Sequence, residues 1–373
     1  MKKLRVAVLY NAYQDGTPDA KADTSGLSHL RAMIRRMART IRVLGHEATV
    51  VPLAGDLSSL QHKLDRLRPD VVFNQYDDNV RGALYEMRVA AFIRMLGYPM
   101  TGSPALGLGL SRYKYMAASL LKGVGIPIPP ETVLIERISE TDRRRWSFPL
   151  IVHPGQEHAG IGLHRDSVVR TRKALKEKVR EVLVSLQQPA LVQRFLPGRE
   201  FNVGLVGGRK LSVLPLAEVD YSRLPPTIPP IMSYEAKWIE TSVEYKRTKI
   251  ICPAEVEPRL AAIIGRTAVK AFRVVGGWGY GRVDVRLDER GRPRVLEVNC
   301  NPCLDEGLGL ARSAEQAGIS YPKLLQLVIE AAFEGPPYDL SLPIFNSRTI
   351  DGGLPVSGRR RSAGRRRRRS IKR

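Results

Sequence analysis

Gly281-Arg282-Val283-Asp284-Val285 and, a short turn later, Arg294-Val295-Leu296-Glu297-Val298-Asn299 form the stretch that decides the fold. Both runs read as strand patterns, rich in valine and with polar residues between the apolar ones. Between them Asp288-Glu289-Arg290-Gly291 carries the chemistry of a reversing turn. Residues two apart on a strand share a face, so Glu297 and Asn299 point the same way. Hairpin pairing then sets Asp284 opposite them. Two carboxylates and an amide oxygen converge on one spot. Hard oxygen donors of this kind suit Mg²⁺, which is commonly held by one or two carboxylates together with nucleotide phosphates. The competing reading is three ordinary polar strand residues, and the paired spacing argues against it.

Outward from the hairpin, the 373 residues suffice for a large core divided into two or three lobes. Residues 4–10 predict a strand. Leu27, Leu30, Met33, Ile34, Met37, Ile41 and Leu44 recur at helical spacing up to Gly45. Strands at 48–53 and 70–73, with helices at 57–67 and 84–96, continue an alternation that predicts a parallel sheet. A helix over 111–122, a strand at 148–152, a glycine-bearing loop at 155–162, a helix over 171–187 and a strand at 190–195 follow. Strands at 200–206 and 211–218, a helix over 256–275, the hairpin and a helix over 321–333 complete the pattern, with Pro225 to Pro230 as a loop over a site. The expected division is 1–103, 104–196 and 197–335, with 336–373 as linker and tail.

Ten of the twenty-three net positive charges lie in 359–373, leaving +13 for the rest of the chain. So dense a block of like charge predicts a solvated, disordered tail. It also has the composition that holds nucleic acid or an anionic surface by counterion release. No aromatic residue interleaves the arginines, so base stacking is not indicated. No apolar run is long enough for a transmembrane segment. The N-terminal MKKLRVAVLY fits a first core strand better than a signal peptide. Three cysteines make no disulfide framework, and a cytoplasmic protein is expected. Cys300 and Cys303 have a C-x-x-C spacing but lack further zinc ligands, so two structural thiols are expected there rather than a metal or redox pair.

The order of these pieces resembles the ATP-grasp ligases, in particular the D-alanine–D-alanine ligase branch. The likeness is carried by Gly279-Tyr280-Gly281-Arg282-Val283-Asp284 through Glu297-Val298-Asn299-Cys300-Asn301-Pro302, by Tyr98-Pro99-Met100-Thr101-Gly102-Ser103, by Leu196-Pro197-Gly198-Arg199-Glu200 and by Tyr234-Glu235-Ala236-Lys237-Trp238. It implies a three-lobe α/β ATP-grasp fold behind an N-terminal Rossmann-like lobe. It implies a carboxylate–amine ligase, working through an acyl phosphate on small-molecule carboxylate and amine substrates; a homodimer is an admitted assembly. By position, Asp284, Glu297 and Asn299 match the family's Mg²⁺ (or Mn²⁺) ligands. Glu200 matches the ribose contact, Gln193 the adenine-reading hinge, Lys114 and Lys237 the phosphate lysines, and Arg282 the arginine beside the acyl phosphate. Backbone N–H groups around Pro302 and Cys303 would face the oxyanion.

Several positions depart from the family pattern. The strand Phe148-Pro149-Leu150-Ile151-Val152-His153-Pro154 has His153 where a phosphate lysine is expected. A neutral histidine could still donate one hydrogen bond to ATP. The loop that follows keeps Gly160 and Gly162, which let backbone N–H groups approach phosphates, but not the paired serines. Leu308 stands where a serine for the second substrate's carboxylate is expected. A pocket without that polar partner rejects the former substrate, so the product expected here is not D-alanyl-D-alanine. Asp15, Tyr76, Asp77, Asp78 and Glu306 are the loop residues left as candidate substrate contacts. A catalytically degenerate nucleotide-binding regulator with a basic tail is the alternative.

Overall fold

The computed structural model describes residues 2–12, 24–78, 83–156 and 160–336. Asp15, the rest of the 155–162 loop at 157–159, and the basic block 359–373 lie outside the described residues.

The first part comprises β1 (Arg5–Asn11), α1 (Thr24–Val43), β2 (Glu47–Leu53), α2 (Leu57–Leu67), β3 (Val71–Gln75) and α3 (Ala83–Met95). Its strands form a parallel sheet in the order β2-β1-β3, as the alternation predicts. β1 is buried from Val6 to Asn11 and β3 throughout, which suits parallel strands covered on both faces. Asp56 caps α2 by accepting from the backbone N–H groups of Ser58 and Ser59, a contribution of about 1 kcal/mol.

Next come α4 (Ala105–Arg112), α5 (Lys114–Gly123), β4 (Val133–Ile135), β5 (Leu150–Pro154), β6 (Val168–Val169), α6 (Arg172–Ser185) and β7 (Ala190–Arg194). The strands make a second sheet, β4-β7-β5-β6. The single helix expected over 111–122 is in fact two, broken at Tyr113. The two halves serve different partners, which local periodicity does not reveal: α4 packs chiefly on α3, whereas α5 turns toward the last part of the chain. The break makes Lys114 the first residue of α5.

The remainder holds β8 (Glu200–Gly207), β9 (Ser212–Val213), β10 (Ala217–Asp220), α7 (Tyr234–Trp238), α8 (Val243–Arg247), β11 (Lys249–Ile251), α9 (Pro258–Val274), β12 (Gly279–Leu287), β13 (Pro293–Asn299), α10 (Gly309–Gln316) and α11 (Tyr321–Glu334). Its antiparallel sheet runs β11-β10-β8-β12-β13, with β9 on β8. The strand expected over 211–218 divides around Leu214–Leu216, where Pro215 has no N–H for a ladder. Gly281 is required by packing: a Cβ there would sit 2.1 Å from the Phe272 ring, so only glycine lets β12 lie against α9.

Three apolar clusters hold the molecule. Two of them join the first sheet to the third, through Val72 and Tyr76 with Phe201 and Val283, and through Val8 and Phe73 with Tyr280 and Leu325. The second sheet has a separate core of Leu150, Val152, Val179 and Val192. A cleft lies between these two bodies, and a cavity of about 670 Å³ fills it.

Candidate active site

Register explains which side chains reach the cleft. β12 pairs with β8 so that Arg282 faces Gly204, Asp284 faces Asn202 and Arg286 faces Glu200. Directly paired residues project to one side of an antiparallel sheet, and the period of two selects this whole set together. All six line the cavity. The intervening Phe201, Val203, Val283 and Val285 project the other way into the apolar core. On the far side β13 sets Glu297 opposite Asp284 and Asn299 opposite Arg282, as the hairpin reading requires. A bulge follows Asp284: Val285 pairs with Val295, leaving Leu296 as the extra residue. Bulges re-aim side chains, and Leu296 and Glu297 both reach the cavity wall.

The charges on this wall are held in pairs. Arg282 grips Asp284 at 2.7 and 2.9 Å, and Asn202 donates to the same carboxylate at 2.8 Å. The Asp284 charge raises the Arg282 pKa despite burial. Lys114 lies 3.1 Å from Glu297. Lys237, on α7, lines the same cavity; burial, with Arg282 nearby, lowers its pKa. Asn299 shares the hairpin face but is not among the cavity-lining residues, and its Oδ1 accepts from the Asn301 backbone at 2.9 Å. Among the described residues no three His, Cys, Asp or Glu side chains converge. Asp284, Glu297 and Asn299 are hard oxygen donors, the chemistry that suits Mg²⁺, and each has a partner of its own in this structure.

The opposite wall, from β5 and β7, carries His153, Gln193 and Arg194. His153 lies 3.0 Å from Gln193, and burial followed by the Lys114 charge pushes its pKa down to about 4. The tautomer follows from a chain of hydrogen bonds. The Thr132 hydroxyl donates to Pro129 at 2.7 Å, so its oxygen accepts from the Gln193 amide nitrogen at 3.0 Å. The Gln193 carbonyl then faces His153, and Nε2 carries the proton. The His153 N–H is thus donated to Gln193, and the ring lines the cavity. Gly160 lines the cavity with φ +81°, beside the start of α7. Gly162 is not among the lining residues; its φ of +70° and a Cβ that would meet Pro154 at 2.6 Å both call for glycine.

Of the candidate substrate contacts, Tyr76, Asp77, Asp78 and Glu306 are not among the cavity-lining residues. Tyr76 donates to Asp78 at 2.7 Å, and Arg112 holds Asp77 and Glu86 at 3.1 and 3.2 Å. Burial, reinforced by Asp77, drives the Glu86 carboxyl strongly upward. Leu308 does line the cavity, at the uncapped start of α10. Asn202, Arg286 and Thr132 were not singled out from sequence. For Asn202, the alternation Glu200-Phe201-Asn202-Val203 carried the signal; Arg286 and Thr132 required the register. Cys300 is buried, with its pKa pushed up to about 12 by that burial, and all three cysteines are free.

The chain is similar to known proteins over most of its length. The family model described as D-ala D-ala ligase C-terminus matches residues 120–330. The uncharacterized protein y4sG of Sinorhizobium fredii is 33% identical over 262 residues, covering 70% of this chain and 74% of its own. A D-alanine–D-alanine ligase of Chelativorans is 29% identical over 346 residues, covering 89% and 99%. The crystal structure of the Bacillus anthracis D-alanine–D-alanine ligase complexed with ATP superimposes with a TM-score of 0.68 at 20% identity, covering 89% of this chain and 98% of that one. No helix among the described residues is long and apolar enough to cross a membrane. The chain belongs to the D-ala D-ala ligase family of ATP-grasp proteins, ADP-forming ligases that join carbon to nitrogen.

Proposed function

We propose that this protein forms an amide bond between an amino-acid-like carboxylate and an amine, at the expense of ATP, and that its product is not D-alanyl-D-alanine. The observation that carries the ligase reading is the convergence of Arg282, Asp284, Glu297, Lys114 and Lys237 on one cavity. Asp284, Glu297 and Asn299 would hold Mg²⁺, and the metal when bound would neutralise charge on the transferring phosphoryl group. Phosphates entering the cavity would offer Arg282 and Lys114 new anionic partners, freeing the carboxylates those cations now hold. Lys237 and Lys114 then clamp the phosphates, and Arg282 supports the oxyanion formed when the amine attacks. Leu308 supports the change of substrate, since it offers apolar surface where a carboxylate would need a donor.

The test is ADP release from the purified protein with Mg²⁺, ATP and pooled amino acids, beside an Asp284→Ala/Glu297→Ala control. Release that depends on amino acids and is absent from the control supports the ligase, and splitting the pool names the substrates. His153, with its N–H committed to Gln193, favours a second reading as a nucleotide-binding regulator. ATP binding without release under any pool would select it. The basic block 359–373 supports an anionic partner, tested by salt-dependent nucleic-acid binding with and without those residues.

A further inference from the structure

The cavity wall holds a buried assembly that the charge pairs above do not use. Arg286, 4% exposed, stands directly opposite Glu200 in the β8–β12 ladder and donates to Glu200 Oε2 at 3.0 Å. The Tyr221 hydroxyl donates to that same oxygen, also at 3.0 Å. The guanidinium is fixed from three further sides. Its Nε donates to the Gly198 carbonyl at 3.1 Å, and its centre lies 5.0 Å from the Phe195 ring and 5.6 Å from the Tyr221 ring. Nη2 is buried and has no hydrogen-bond partner among the described residues.

The asymmetry at Glu200 is informative. Both donors fall on Oε2, whereas Oε1 accepts no hydrogen bond from the described residues. Glu200 lines the cavity. A carboxylate accepts through both oxygens, so tying down one presents the other in a fixed direction. Arginine suits the task because its planar fork is preorganised and its charge permanent.

Resting on the ATP-site reading, we infer that Arg286 is a positioning residue: it clamps Glu200 through Oε2 so that Oε1 is aimed at the hydroxyls of the nucleotide ribose. Selection for a ribonucleotide then depends on Arg286 although Arg286 need not touch the sugar. Tyr221 shares the clamp.

Equilibrium binding of ATP and 2′-deoxy-ATP, each with Mg²⁺, tests this on the full chain and on Arg286→Met, Arg286→Lys, Tyr221→Phe and Glu200→Gln. The wild type is expected to prefer ATP by about tenfold, the scale of one hydrogen bond to a charged group. Arg286→Met should bring the two affinities close to equality, as Glu200→Gln does. Arg286→Lys should restore part of the preference. Tyr221→Phe keeps the ring and removes one donor, so it should give an intermediate ratio and serves if Arg286→Met does not fold. A merely structural arginine would weaken both nucleotides alike and leave their ratio unchanged, which would overturn the inference while the ATP site stands. A wild type that binds ATP and 2′-deoxy-ATP equally would also overturn it. Absence of ATP binding to the wild type would overturn the ATP-site reading, and this inference with it.

Discussion

The two walls of the cleft are chemically unlike. The β8–β12–β13 wall presents Glu200, Arg282, Asp284, Arg286 and Glu297, with Lys114 and Lys237 beside it. The β5–β7 wall presents Ile151, His153 and Gln193, with the Arg194 cation at the end of β7, 3.7 Å from Glu289. On the first wall every carboxylate already has a cationic or hydrogen-bonding partner, so an incoming Mg-nucleotide would exchange partners rather than find bare ions. On the second wall the histidine is neutral and its proton is spoken for. Most of the cations that could neutralise a triphosphate therefore stand on the first side, and Arg194 is what the β5–β7 strands add.

The largest effect should come from breaking the charged wall. Asp284→Asn is expected to lower ADP release by on the order of 10³, the scale of removing one preorganised electrostatic contact or more. It also leaves Arg282 buried without its bidentate partner, so a thermal melt must accompany the assay to separate lost chemistry from lost fold. Chelating Mg²⁺ should abolish release in the wild type without moving that melt by a comparable amount. Activity of Asp284→Asn near the wild-type level would remove the metal-and-phosphate reading of this wall.

A smaller but sharper contrast lies between Lys114 and His153. Lys114→Met should weaken ATP binding by about one to two decades, since a cation within reach of phosphates is lost in a partly desolvated site. His153→Gln should change it by less than about threefold, because the one N–H of the neutral ring is already donated to Gln193. Equal losses in the two variants would show that the β5–β7 wall also carries phosphate binding, and the contrast between walls would fail.

What the sequence disclosed follows the same division. The hairpin was legible because strand period and turn chemistry are local, and Asp284 opposite Glu297 needs only those two rules. Glu200 was legible as the end of a turn entering a strand. Arg286 was not, because its role depends on the β8–β12 register, which couples residues far apart in the chain. The Thr132–Gln193–His153 chain draws on three segments, and its proton assignment needs the acceptor at the Pro129 end. The break at Tyr113 was hidden for a related reason: tertiary partners, not propensity, end α4 there. The bulge at Leu296 likewise breaks strict alternation without a turn residue to announce it.

The neutrality of His153 has a consequence in acid that is independent of catalysis. Its folded pKa, down to about 4, lies below the ordinary value of about 6.5. Between those two values the unfolded chain takes up the proton and the folded chain does not. Stability from this residue is therefore highest above pH 6.5 and falls as pH drops toward 4. Chemical denaturation over that window should show the decline, and His153→Gln should make it shallower. A decline of unchanged slope in the variant would assign the acid sensitivity to other groups.

The smallest effect is expected at the cysteines, which lie just beyond β13 and so test how far the charged wall reaches. Cys300 packs in the apolar cluster shared by the first and third sheets, and its pKa of about 12 leaves almost no thiolate at neutral pH. A thiol without thiolate neither attacks a disulfide nor alkylates readily. Burial raises the Cys303 pKa as well, and its Sγ lies 3.6 Å from the Met33 sulfur rather than against Cys300. Iodoacetamide at pH 8 should leave Cys300 unmodified in the native protein, and Cys303→Ser should keep ADP release within about twofold. A disulfide between the pair under mild oxidant, with release lost and then restored by reductant, would make this loop a redox gate on the charged wall. Cys300 is instead assigned to packing and Cys303 is exposed with its sulfur turned to Met33, whereas a working gate would require at least one thiol to ionise where the other could reach it.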